Sequence, residues 1–211
     1  MRNLTRPFQF LFFLFVFTGS AMATEQPEYE VLKQQDDFEL RRYAPMIVAE
    51  VTVSGSMEQA SSRGFRVLAD YIFGNNRVDG ATNTEIAMTA PVTMAPRSET
   101  IDMTTATTME ADDGRWRVQF VMPSEYSMAT LPKPNNPDIE ILDYDERYYA
   151  VVRFSGLAGS KKVASKTAEL RTWMEQQGLE PRGVPELSRY DPPWTLPFFR
   201  RNEVKLIYRA E

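Results

Sequence analysis

The chain contains no cysteine and no histidine among its 211 residues. Without cysteine it can form neither a disulfide nor a thiolate metal site, and without histidine it has no imidazole ligand or base. A Ser-His-Asp triad and a Cys-His pair are therefore excluded. The remaining composition, with 43% hydrophobic and 25% charged residues, is typical of a globular domain.

Long apolar runs are also lacking, and a short one lies at the N-terminus. Two arginines precede an apolar stretch over residues 8–17, and Ala21-Met22-Ala23 has the small-x-small pattern of a cleavage site. The stretch has about half of the roughly 20 residues that a membrane span needs. We therefore expect a signal peptide over residues 1–23, cleaved after Ala23, and a periplasmic or secreted mature chain. A retained membrane anchor is the alternative.

The charge balance of the mature chain is acidic. Removing Arg2 and Arg6 from the 24 basic residues, against 29 acidic ones, leaves a net charge of about −7. This sign argues against a nucleic-acid surface. The acidic groups at Asp112-Asp113 and at residues 143–146 lack the ligand spacing of a calcium loop and are typical of turns. We predict no metal site and no nucleic-acid partner.

An internal duplication is visible in the sequence. Residues 38–43 align without gaps on residues 139–144, and the alignment continues through Ser54-Gly55 and Ser155-Gly156. Apolar positions coincide between the two halves, and each half predicts strand, turn, strand, Ser-Gly and helix. We therefore predict one domain over residues 24–211, made of two repeats at about 29–95 and 115–208.

Hydrophobic periodicity predicts the secondary structure of this domain. The first helix begins at Ser56, with Gln59 completing a capping box, and ends near Gly74; the second covers about residues 160–177. Alternating apolar residues predict strands, among them one over Ile86–Met94 that Pro91 confines to an edge or a bulge. The fold class is α+β: a duplicated, pseudo-twofold, distorted antiparallel barrel or sheet flanked by two amphipathic helices.

Two further features suggest a ligand site. Met88 and Met94 are predicted on one face of their strand, where they fill the core or line a pocket for a large flat ligand. Residues 190–204 combine prolines and aromatics with Arg200-Arg201, which suits either a structural belt or a surface for an amphipathic anion. Glu203 is expected to pair with one of these two arginines.

These residues resemble the SOUL haem-binding protein family. The specific blocks are Met-Thr-Ala-Pro-Val and Arg-Arg-Asn-Glu-Val, and the matching segments run in order through the mature chain: residues 29–32, 38–43, 86–92, 118–123, 171–173 and 190–204. The resemblance implies a duplicated α+β domain, a distorted antiparallel barrel flanked by two helices, similar to bacterial effector-binding domains.

The resemblance also implies binding of haem or a related tetrapyrrole in an apolar groove between the first helix and the loop before the last strand. Arg63, Arg66, Arg200 and Arg201 are then the candidates for pairing with propionates. With Met88 added from the methionine pattern, the predicted cofactor-binding residues are Phe65, Arg66, Leu68, Ala69, Ile72, Met88, Leu196, Phe198, Phe199, Arg200 and Arg201.

The missing histidine sets this chain apart from relatives that use an axial His. If haem binds, its iron is held by Met, Tyr or Lys, or by no side chain. We see no nucleophile-base pair, so we predict a non-enzymatic, monomeric binding protein for haem. The alternatives are a binding module for another amphipathic small molecule, in which a buried Glu203 meets a cation, an enzyme acting on a tetrapyrrole or lipid, and a structural protein.

Overall fold

The computed structural model describes residues 24–78, 81–97 and 114–210. The predicted signal peptide and the acidic pair Asp112-Asp113 lie outside these residues. No helix in the described ranges is long and apolar enough to cross a membrane.

The described residues form two sheets and two α-helices. The helices are α1 (Met57–Ile72) and α2 (Ser160–Gln176), and a 3₁₀ turn covers Pro197–Phe199. The strands are β1 (Tyr29–Gln35), β2 (Phe38–Tyr43), β3 (Met46–Ser54), β4 (Asn76–Val78), β5 (Ala81–Thr82), β6 (Val92–Pro96), β7 (Arg115–Val121), β8 (Lys133–Pro134), β9 (Ile139–Tyr144), β10 (Arg147–Phe154), β11 (Arg182–Arg189) and β12 (Asn202–Ile207).

Nine strands form one open antiparallel sheet. Their order is β1-β2-β10-β12-β11-β6-β7-β3-β9, and β5, β4 and β8 form a small second sheet. In the described part of the chain, β1 and β9 are the two ends of the large sheet and do not pair with each other, so the sheet does not close into a barrel. The α+β class with two flanking helices is confirmed, in its distorted-sheet form.

The strand order has a symmetry that the sequence alignment anticipates. β3 lies between β7 and β9, and β10 lies between β12 and β2. In the β3–β9 ladder Met46 faces Tyr144, and in the β10–β2 ladder Arg147 faces Tyr43. The gap-free alignment pairs Met46 with Arg147 and Tyr43 with Tyr144, so the two ladders have the same register. The pairing of β6 with β11 joins the two sets of strands at the centre. That this order arose from two repeats stays a prediction.

Both helices have the termini that their sequences predict. The Ser56 hydroxyl accepts from the Gln59 amide at 3.3 Å, and the Gln59 side chain accepts from the Ser56 amide at 3.2 Å, which completes the capping box. Past the C-terminus of α1, Gly74 has φ +116°, a conformation that side chains disfavour. The capping box and this glycine therefore set the two ends of α1.

The core lies between the helices and one face of the large sheet. α1 packs on β3 and β7, and α2 packs on β10 and β12. Each helix buries its apolar stripe there, including Leu68 and Ile72 from α1 and Leu170 and Met174 from α2. Gly64 lies at the closest approach of α1 to the sheet, because a Cβ at this position would come within 2.5 Å of the Val118 side chain.

The predicted strand over Ile86–Met94 is wrong in extent and place. β6 begins at Val92, directly after Pro91, and it is a central strand that pairs with both β7 and β11. Proline lies before the ladder, where its missing N–H costs no strand pairing. The preceding residues follow an irregular path in which the Ile86 amide donates to Ile72 and the Ala90 amide donates to Glu25.

Candidate ligand-binding site

The residues predicted on α1 divide into exposed and buried ones. Phe65 is partly exposed and packs edge to face on Phe120, with ring centroids 5.5 Å apart. Arg66 is exposed, and Arg63 donates to the Ser54 carbonyl at 3.0 Å. The other predicted side chains, Leu68, Ala69 and Ile72, are buried on the sheet-facing side of the helix and belong to the core. Among the predicted apolar side chains of α1, only Phe65 therefore offers exposed surface to a ligand.

The segment between β11 and β12 carries an exposed apolar surface. Trp194 is 82% exposed and Phe199 is 71% exposed, and Leu196 and Phe198 are similarly open. The segment turns at Pro192, whose carbonyl accepts from Thr195 at 3.0 Å, and its base is closed by the Arg201 amide, which donates to Asp191 at 2.6 Å. We call residues 190–201 the aromatic segment. Proline and these bonds hold its large side chains outward.

A neighbouring loop extends this surface. The Gly156 amide donates to the Pro197 carbonyl at 2.9 Å, which places residues 155–159 beside the 3₁₀ turn. Leu157 on that loop is 64% exposed. Large exposed apolar side chains on neighbouring segments of a monomer usually mark a binding surface. We call Phe65, Leu157, Trp194, Leu196, Phe198 and Phe199 the apolar surface.

Arg200 and Arg201 have different partners although they are adjacent. Arg200 donates to the carbonyls of Thr195 and Pro193, so it braces the aromatic segment. Arg201 forms a salt bridge to Glu203 at 2.7 Å and lies over the Tyr190 ring, 3.9 Å from its centroid. Of the two arginines predicted to pair with Glu203, Arg201 is the partner. Its guanidinium is already neutralised, whereas the partners of Arg200 among the described residues are carbonyls only.

Arg189 is a cation of this region that the sequence analysis missed. It ends β11, directly before the aromatic segment, and its guanidinium donates to Ser61 Oγ on α1 at 2.6 Å and to the Ala158 carbonyl at 3.1 Å. It lies two residues after the core residue Leu187, so both side chains are on the same face of β11. An arginine at an inward-facing position of an alternating strand was the signal that could have found it.

Met88 is 41% exposed on the irregular segment before β6. Its neighbours Ile86 and Thr89 bond to Ile72 and Val121 rather than to the aromatic segment. Met94, which was predicted on the same face, is buried in the core and contacts Arg189 through its sulfur at 3.6 Å. The two methionines are therefore in different environments, because the segment between them is not a continuous strand.

Glu203 lies buried on the sheet face opposite the helices. Its carboxylate accepts from Arg41 at 2.9 and 3.0 Å, from Arg201, and from the Tyr190 hydroxyl at 2.7 Å. Burial by itself would raise the pKa of Glu203, but the bonds and charges of Arg41 and Arg201 outweigh it and lower that pKa. The protein's own cations thus satisfy this carboxylate.

A second cluster on the same face is also closed by internal partners. The Lys205 ammonium lies 5.0 Å from the Tyr149 ring centroid and 5.6 Å from that of Tyr43, and 3.5 Å from Glu186. The gap that remains there has a volume of about 20 Å³, room for about one water molecule. An aromatic and carboxylate cage that suits an ammonium group is therefore filled by Lys205.

An open cleft adjoins that cage. It has a volume of about 320 Å³ and lies between the N-terminal segment 25–28, the β2–β3 turn and the end of β7. Its lining is apolar at Met46, Ile47 and Met122, and its charged groups are the carboxylates of Glu25, Glu28 and Asp143. No cluster of three or more Asp or Glu side chains able to hold a metal ion occurs in the described ranges.

These features define an α+β domain with a symmetric antiparallel sheet and an exposed apolar surface beside one helix. The SOUL heme-binding protein family model matches residues 24–207, which is most of the chain. The chain therefore belongs to the SOUL heme-binding protein family, and the resemblance noted in the sequence is confirmed. A comparison with curated proteins finds no match.

Solved structures share the fold. The C-terminal domain of EcmrR has a TM-score of 0.58 and 13% sequence identity, over 87% of this chain and 99% of that one. A protein described as a hydrolase from Listeria innocua has a TM-score of 0.53 and 14% identity, over 84% of this chain and 94% of its own. At these identities the likeness concerns the fold alone.

Proposed function

We propose that this protein binds haem or a related flat tetrapyrrole without enzymatic turnover, on the apolar surface beside α1. Membership of the SOUL family supports the ligand class. The observation that carries the location is the exposure of four large side chains in one segment, Trp194, Leu196, Phe198 and Phe199. Burying such surface against a flat ligand contributes about 25 cal/mol per Å².

The residues near this surface suit a tetrapyrrole held by apolar contact and charge pairing. Aromatic rings can lie against the macrocycle, and guanidinium groups pair with carboxylates in two-point geometry. Histidine and cysteine, two common protein ligands of haem iron, are absent from the chain. We therefore propose that affinity here comes from the macrocycle and its carboxylates rather than from the iron.

The predicted signal peptide supports a periplasmic or extracellular place for this function. A protein in that compartment meets tetrapyrroles outside the cytoplasm. We accordingly propose a role in holding or carrying the ligand there, by residues 24–211.

A hemin titration of residues 24–211 tests the proposal. We expect saturable one-to-one binding with a shifted Soret band and quenching of tryptophan fluorescence. The double variant Phe198→Ala, Phe199→Ala should weaken binding at least ten-fold. Its matched control is Val31→Ala, Leu32→Ala, which removes two adjacent exposed apolar residues from the edge strand β1. Non-saturating uptake, or equal affinity for both double variants, would overturn the proposal.

The cleft of about 320 Å³ favours a second candidate, the binding of a small amphipathic cation. It combines apolar walls with three carboxylates and no basic lining residue. A thermal-shift screen of aromatic quaternary ammonium compounds tests it. We expect stabilisation that the double variant Glu28→Gln, Asp143→Asn loses and the exposed α2 variant Glu175→Gln keeps. Cations that stabilise neither the parent chain nor the control would reject this candidate.

A further inference from the structure

We propose that Arg189 binds a carboxylate of the ligand and makes the apolar surface selective for anionic tetrapyrroles. This inference rests on the proposed function, because it assigns the anionic end of the same ligand. Sequence reasoning assigned that role to Arg63, Arg66, Arg200 and Arg201, and Arg189 was not among them.

Among the residues that the structure describes, Arg189 contacts no anion. Its guanidinium donates to a hydroxyl, Ser61 Oγ at 2.6 Å, to a carbonyl, Ala158 at 3.1 Å, and to the Met94 sulfur at 3.6 Å. In the described ranges no carboxylate lies within salt-bridge distance of it. The fully buried Arg41 and the partly buried Arg201 each bond directly to Glu203. A cation withdrawn from water without a counter-ion is costly unless an anion joins it.

Arg189 lies where the parts of the apolar surface meet. Ser61 is one helical turn before Phe65 on the same face of α1, and Ala158 follows the exposed Leu157. The next residue, Tyr190, begins the aromatic segment, with its amide donating to the Arg201 carbonyl at 3.2 Å. A flat ligand lying on these side chains would therefore bring its edge to the guanidinium.

The charges that surround Arg189 agree with this role. Burial is the main cause that lowers the pKa of Arg189; Glu58 on α1 raises it and Arg200 lowers it further. Glu58 is exposed and makes no salt bridge to Arg189, and Arg200 donates to carbonyls only. Two guanidinium groups that have no carboxylate partner within the described ranges thus lie on the same side of the molecule. This charge pattern complements a ligand that carries two carboxylates on one edge.

The test compares protoporphyrin IX with its dimethyl ester, which has the same macrocycle and no carboxylates. The parent chain should bind the diacid at least ten-fold more tightly than the ester. Arg189→Met should remove about ten-fold of diacid affinity and leave ester affinity unchanged. Arg189→Lys should recover part of the loss, since it keeps the charge but not the paired geometry. Arg77→Met, an exposed arginine on β4, is the matched control and should behave as the parent chain.

Different outcomes reject the proposed function and the proposed role of Arg189. If the parent chain binds neither porphyrin, the proposed function is rejected. If it binds both equally well, or if Arg189→Met weakens diacid and ester alike, the macrocycle site stands and the role of Arg189 is rejected. Thermal unfolding of each variant accompanies the titrations. If Arg189→Met does not fold, the parent chain's ratio of diacid to ester affinity and the Arg189→Lys variant still decide the question.

Discussion

At the scale of single residues, the arginines of this protein differ by the partners that the fold gives them. Arg41 is fully buried and bonds to Glu39, Tyr43 and Glu203. Arg200 braces its own segment, and Arg189 bridges α1 and a loop and has no anionic partner in the described part of the chain. The residue type predicts a cation in each case, but the neighbours decide whether that cation stabilises the fold or is available to a ligand.

The pairing of Glu203 predicts a pH-dependent stability. Replacing this carboxylate by an amide, Glu203→Gln, leaves Arg41 buried with less counter-charge and should cost about 3 kcal/mol of unfolding free energy at pH 7. The native pKa of Glu203 lies below its ordinary value of 4.5. Its stabilisation is therefore complete above about pH 4.5 and disappears as the pH falls through the lowered native pKa. Urea unfolding at pH 7 and pH 3 measures the difference between the two proteins.

The control for that experiment is Glu175→Gln, an exposed residue on α2. It should change the unfolding free energy by less than about 0.5 kcal/mol at either pH. A difference between the parent chain and Glu203→Gln that stays constant from pH 7 to pH 3 would contradict the assignment of the stabilisation to the ionised carboxylate.

At the scale of secondary-structure elements, the close packing of α1 on the sheet depends on Gly64. A methyl group at this position would come within 2.5 Å of Val118 on β7, and both residues are buried. The same close approach allows Ala60, Leu68 and Ile72 to reach the core while Phe65 stays at the surface. The position of the apolar surface therefore follows from how deeply the helix sits.

Gly64→Ala should destabilise the fold by about 1–3 kcal/mol through overpacking, although alanine is the better helix former. In a Val118→Ala background the same change should cost less, because two of the three close atoms, the Val118 Cγ methyl groups, are gone while its Cβ remains. Ser62→Ala, an exposed change on the same helix, should be close to neutral. Chemical denaturation of the parent chain, the two single variants and the double variant measures the coupling, and additive effects of Gly64→Ala and Val118→Ala would contradict the contact.

Sequence periodicity predicted most helices and strands, but it did not predict where every strand begins. The capping box and the stripe over Val163, Leu170 and Met174 predicted both helices, because helix signals are local. The strand predicted from Ile86 failed, because the alternation of apolar residues continues through an irregular stretch that packs against α1. Burial on one side produces such a pattern whether or not the backbone pairs in a ladder.

At the scale of the whole molecule, neither half of the chain contains all the partners of its own strands, although β1 pairs with β2 in the first half and β12 pairs with β10 and β11 in the second. β3 has both of its partners, β7 and β9, beyond residue 114, and β2 pairs with β10. The central contact of β6 with β11 also joins the two halves. The sheet is therefore a product of both halves, and its two helices lie on one continuous core.

Cutting the chain between residues 105 and 106, outside the described ranges, should consequently give two fragments that do not fold separately. Residues 24–105 would carry β3 and β6 without their partners, and residues 106–211 would lack β2 and β6. We expect each fragment to show no near-UV circular dichroism and rapid proteolysis. An equimolar mixture should regain the signal of the intact chain. A cooperative unfolding transition in either isolated fragment would contradict the shared sheet.

The sequence by itself determined the α+β class, the two helices with their termini, the alignment of the two halves and the family, because these depend on local patterns and ordered motifs. It also placed the ligand region on α1 and the aromatic segment, a prediction that titration can check. Only the tertiary structure decided that Leu68 and Ile72 are core, that Arg201 is neutralised by Glu203, and that Arg189 has no counter-ion among the residues that the structure describes. The reason is physical: burial and charge pairing depend on residues distant in the chain, and no local pattern records them.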